Sequence, residues 1–100
     1  MQEVKMIGHG RYSISRVGDG VGDSGPMLES INPETLETTS GVIKVGCRIR
    51  CGSIYARTYA SQDWWLTSKV TEIFDHEEGE FSSSCKFRTE SNSVYICKNF

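Results

Sequence analysis

Between Val42 and Cys51 apolar and polar residues alternate without a break. Ile43, Val45, Cys47, Ile49 and Cys51 are interleaved with Lys44, Gly46, Arg48 and Arg50. A period of two sends the two sets to opposite sides of an extended chain, whereas an amphipathic helix needs a period near 3.6. Phe81, Cys85 and Phe87 alternate with Lys86 and Arg88 in the same way. The expectation is a mainly β chain whose sheet has one dry face and one wet, partly basic face.

A chain of 100 residues suffices for one domain with a modest core. With 37% hydrophobic and 24% charged residues it falls among folded water-soluble chains, away from disordered or membrane compositions. No run approaches the roughly 18 apolar residues of a membrane helix. The opening MQEVKMIGHG lacks the apolar stretch of a secretory signal. The expected setting is therefore cytoplasmic, without a membrane partner.

Charge is unevenly spread. The first forty residues carry more acidic than basic side chains. Lys44, Arg48, Arg50, Arg57 and Lys69 then face Asp63 alone, and Glu72, Asp75, Glu77, Glu78 and Glu80 form an acidic run. Such segregation steers charged partners. Cys47 and Cys51 would lie about 13 Å apart in one strand, too far for a disulfide or a shared zinc ion. Cys85 and Cys97 lack a close second ligand pair. Four reduced, buried thiols with no metal and no cofactor are expected.

Residues 1–40 read as an extension: strands at Glu3–Ile7 and Tyr12–Val17, a glycine-rich loop at Gly18–Pro26, and a helix start at Asn32-Pro33-Glu34 limited to a turn or two. Residues 41–100 read as a small β-barrel forming one folding unit with that extension. Its expected strands are Val42–Cys51, Lys69–Phe74, Phe81–Thr89 and Ser93–Lys98, with a long loop over 52–68 and a polar turn at His76-Glu77-Glu78-Gly79. This order, with a long first loop and short later turns, resembles the Src-homology-3-like small barrel. The resemblance implies about four to six antiparallel strands and at most one short helix.

A second resemblance rests on Thr67-Ser68-Lys69-Val70-Thr71-Glu72-Ile73, Phe87-Arg88-Thr89 and Asn92-Ser93-Val94-Tyr95. Together these are similar to the ending of small accessory proteins of tailed bacteriophages. That likeness implies a host-takeover factor acting on a host macromolecule in the host cytoplasm.

Catalytic patterns are sparse. His9 and His76 sit in polar stretches, no serine lies in a Gly-x-Ser-x-Gly elbow, and Gly18-Asp19-Gly20-Val21-Gly22 is followed by no phosphate-binding lysine. An enzyme or small-ligand site would have to rest on Gly8-His9-Gly10 and that glycine loop. A non-enzymatic binding protein is the leading expectation. Trp64-Trp65 is its sharpest feature, because adjacent side chains of an extended segment point opposite ways. Trp65, nearer the second strand, is expected in the core. The partner-binding residues expected are Arg48, Arg50, Tyr55, Arg57, Tyr59, Trp64 and Trp65, types common in binding hot spots. A host protein is the first partner. The alternative is single-stranded nucleic acid or RNA, with bases stacked on the aromatics and Lys44, Lys86 and Arg88 as added phosphate contacts.

Overall fold

The computed structural model describes residues 2–53 and 64–100. Ten strands run through them: β1 (Glu3–Lys5), β2 (Tyr12–Arg16), β3 (Gly22–Gly25), β4 (Met27–Ile31), β5 (Thr38–Ser40), β6 (Val42–Lys44), β7 (Arg48–Gly52), β8 (Trp64–Glu78), β9 (Ser83–Thr89) and β10 (Val94–Asn99). Every pairing is antiparallel, and eight strands follow the order β3-β2-β10-β9-β8-β7-β4-β5. β1 and β6 form a separate pair. The mainly β expectation holds, with more strands than the spacing suggested and with the expected Lys69–Phe74 strand lengthened to Trp64–Glu78.

Two corners turn this row into a curled sheet. β8 pairs with β7 through Trp64–Lys69 and with β9 through Val70–Glu78, so one strand serves two layers. Register shifts at both places supply the bend, as bulges do where strands change sheets. At the other corner, β3 and β4 are separated only by Pro26. A side chain on Gly25 would come within 2.4 Å of the Gly52 carbonyl oxygen, so glycine alone lets β3 pass over β7. Pairing runs freely across residue 40, since β2 lies between β3 and β10 and β4 between β7 and β5.

Several boundaries differ from the sequence expectation, each for a local reason. Gly22–Gly25, expected in a loop, is a strand because a tight turn reverses the chain just before it. Arg16 N donates to Val21 O (2.8 Å), Gly20 N to Arg16 O (2.8 Å), and Gly18 and Gly20 take φ of 117° and 72°. The cap at Asn32 forms, with Oδ1 accepting from Glu34 N (2.9 Å) and Thr35 N (3.2 Å). It starts no helix: after one turn Leu36 reaches φ 64° and the chain returns as β5 beside β4. Gly46 at φ 91° splits the expected Val42–Cys51 strand into β6 and β7. Glu77 and Glu78 belong to β8 rather than to a turn, and Phe81 is 62% exposed instead of joining Cys85 and Phe87 inside.

The concave side holds Ile14, Leu28, Ile49, Cys51, Val70, Ile73, Cys85, Phe87, Tyr95 and Cys97, and the small β1–β6 sheet adds Val4, Met6 and Ile43. Buried polar groups stitch the layers. Thr67 Oγ1 accepts from Ile49 N (3.0 Å) at the β7–β8 bulge, Ser30 Oγ accepts from Lys44 N (3.1 Å), and Asn99 Nδ2 donates to Met6 O (2.8 Å). Each meets a backbone group that would otherwise be buried without a partner.

Candidate functional site

The alternation of an extended strand separates the two tryptophans at the start of β8. Trp65 stands opposite Cys51, on the side that faces the core. Its ring packs on the core cluster, with its centroid 6.4 Å from that of Tyr95. The Arg16 guanidinium lies 5.4 Å from the Trp65 ring centroid and pairs with Asp19 at 2.7 Å. That guanidinium holds the Asp19 carboxyl below the usual carboxylate range, helped by Val21 N–H.

Trp64 stands opposite Gly52, and its ring lies 5.6 Å from the Arg50 guanidinium. Glu29, across the ladder from Arg50 on β4, accepts a hydrogen bond and ion pair from Arg50 Nη2. Leu66 is the β8 partner of Arg50. One more step along, Arg48 is paired with Lys69, and Arg48 Nε donates to Thr67 O at 2.8 Å. The outcome is a band of fixed strand residues, Arg48, Arg50, Trp64, Leu66 and Lys69, in which cation, aromatic and aliphatic groups adjoin. Arg50 Nε and Trp65 Nε1 are buried without a hydrogen-bond partner among the described residues.

The remaining expected contacts fall elsewhere. Lys44 stands opposite Glu3 on β1, and Lys86 opposite Asp75 on β8. Arg88 binds Glu72 at 3.0 Å and lies 5.6 Å from the Phe74 ring centroid. Arg48 and Arg50 on β7 are separated from Lys86 and Arg88 on β9 by β8, Lys44 lies on β6, and Arg50 and Arg88 are held by Glu29 and Glu72, so these five cations do not form one patch. Tyr55, Arg57 and Tyr59 lie outside the described residues. Lys69, Leu66 and Glu29 went unmarked as site residues. A register with β7 would have pointed to the first two, but Glu29 is brought in from a distant strand.

Three buried thiols, Cys51, Cys85 and Cys97, are held in the protonated form near neutral pH. Burial pushes Cys51 and Cys85 up to about 12, with smaller contributions from Asp23 and Asp75, and Cys97 is also raised. All four cysteines are free and buried. Among the described residues no three His, Cys, Asp or Glu side chains are grouped as a metal ion needs. His9 stacks on Phe81 at 5.7 Å, remote in sequence from the glycine turn. At the far end of β8, β9 and β10 lies an open groove of about 790 Å³ beside Glu77, Glu78, Ser83, Lys98 and Phe100. No helix of the described residues is long and apolar enough to cross a membrane. Comparison with protein-family models, curated proteins and solved structures gives no match.

Proposed function

We propose that this protein is a non-enzymatic binding protein whose contact face is the band formed by β7 and the start of β8. The observation that carries this reading is the clamp of Arg50 between Glu29 and the Trp64 ring. It fixes an arginine and a tryptophan, two residue types that dominate binding energetics, on strands rather than on a mobile segment. Beside the clamp, Arg48 and Lys69 present adjacent positive charge, a repulsive pairing that an acidic partner relieves. The partner proposed is a host protein with an acidic surface and an apolar recess for the tryptophan. The phage-like ending of the chain agrees with such a role in host takeover.

Affinity capture from bacterial lysate with the folded full chain tests this. One stoichiometric protein is expected with the wild type, and Trp64→Ala or Lys69→Glu should weaken its binding by about 2 kcal/mol or more at a hot spot. Recovery of no such protein, or equal binding by both variants, contradicts the reading. A single-stranded oligonucleotide is the competing ligand. With Arg48 and Lys69 as the two cations of the band outside a carboxylate pair among the described residues, its log–log salt slope would be about −1.4.

A further inference from the structure

Among the described residues, the later part of β8 is paired on only one side of its backbone. Thr89 N donates to Ser93 O at 2.9 Å, which sets the phase of the β9–β10 ladder. Phe87, Cys85 and Ser83 therefore turn their backbone groups to β10, and Arg88, Lys86 and Ser84 turn theirs to β8. The β8 partners of the latter are Glu72, Asp75 and Glu77. Ile73, His76 and Glu78 consequently direct N–H and C=O away from β9. Val70, in the same phase, meets Cys47 O (2.9 Å) and Gly46 N (2.8 Å) on that side. Beyond Val70 no described strand runs alongside, because β7 pairs with β8 only as far as Lys69.

We infer that this edge, from Ile73 to Glu78, is a strand-addition site for a cationic extended segment of a partner protein. Exposed backbone edges take up an added strand through main-chain hydrogen bonds, while flanking side chains choose the sequence. Glu72, Asp75, Glu77 and Glu78 flank this edge, and all four are exposed. Arg88 answers Glu72 and Lys86 stands opposite Asp75, whereas Glu77 and Glu78 face Ser84 and Ser83. Neither Glu77 nor Glu78 has an ion-pair partner among the described residues, although Lys98 lines the same groove, and both lie where the ladder is most regular, after the second bulge. Lysine or arginine at alternate positions of an incoming strand would line one face and meet Asp75 and Glu77, while Glu78 borders the same edge from the other face. A second copy of this chain is disfavoured, since edge-to-edge pairing would set carboxylates against carboxylates. The surface is distinct from the Trp64 band, and the two have opposite charge.

The test uses the full chain and a capped peptide of about eight residues alternating lysine and valine, with a glutamate–valine peptide as control, at about 0.02 M salt. Titration calorimetry gives affinity, and amide hydrogen exchange by NMR gives the contact. The lysine peptide should bind and slow exchange at Ile73, His76 and Glu78 by about tenfold or more, leaving Glu72, Asp75 and Glu77 unchanged. Glu77→Gln with Glu78→Gln should weaken binding by about tenfold. Glu78→Pro, which removes one outward N–H at an edge that tolerates proline, should weaken it comparably. If the proline variant fails to fold, the glutamine pair and the exchange pattern decide. No binding, binding without protection at those three amides, equal binding of the glutamate peptide, or protection that arises from protein concentration alone would overturn the inference.

Discussion

The two parts of β8 are one continuous strand with opposite surroundings. Trp64–Lys69 is zipped to β7, and on its other flank the β9–β10 turn closes in, with Glu90 N–H donating to Lys69 O at 2.8 Å and the Ser68 and Ser91 hydroxyls meeting at 2.9 Å. Its outward side chains are aromatic, aliphatic and basic. Val70–Glu78 is zipped to β9, has no partner on its other backbone edge beyond Val70 among the described residues, and carries four carboxylates. Both parts send side chains to the same core, including Trp65, Thr67, Val70 and Ile73. What differs is the neighbour, and the neighbour decides whether a strand offers its side chains or its backbone to a partner.

The largest effect should come from the core side of the first part. Trp65→Ala should lower stability by about 3 kcal/mol, and Trp64→Ala by about 1 kcal/mol or less, read from urea unfolding. Equal losses would mean that both rings are packing residues and that the band is scaffolding. Next, Thr67→Val should cost about 2 kcal/mol, because Ile49 N loses its acceptor inside the bulge. A neutral outcome would show that the bulge is held by other contacts.

A pH series examines both parts together, since Cys51 faces Trp65 and Cys85 faces His76. Each thiol keeps its proton in the folded state up to about 12, against about 9 for an ordinary thiol. Their contribution is fully present below the unfolded value. It should be lost as pH rises through the window from about 9 to about 12, where the unfolded chain ionises first. Cys51→Ala should flatten part of that decline. The smallest change is expected at the exposed Glu72–Arg88 pair, where Glu72→Gln should shift stability by about 0.5 kcal/mol or less.

The core side of this comparison was legible in the sequence, and its edges were not. Ile49, Cys51, Cys85 and Phe87 announce their buried row by alternation, and all are 0–1% exposed. β3 carries no such signal: Gly22-Asp23-Ser24-Gly25 is a strand because Gly22 and Gly25 pass too close to other backbone for a side chain. The extension of β8 to Glu78 was hidden because its exposed carboxylates break the apolar alternation. The Trp64-Trp65 pair marked a place where neighbouring side chains diverge, Trp65 onto the core and Trp64 beside Arg50. The expected cationic contacts Arg50 and Arg88 are instead held by Glu29 and Glu72 from other strands, and such pairing is set by register rather than by local pattern.

Among the described residues β8 has one bonded and one open side after Val70, and amide exchange in the free protein reads this directly. Glu72, Asp75 and Glu77 should exchange slowly, as donors to β9, while Ile73, His76 and Glu78 should exchange faster by about tenfold or more. The same alternation should fade toward Thr67, where both flanks are occupied. Uniform protection from Glu72 to Glu78 would contradict the account, for it would mean that another segment already lies along this edge.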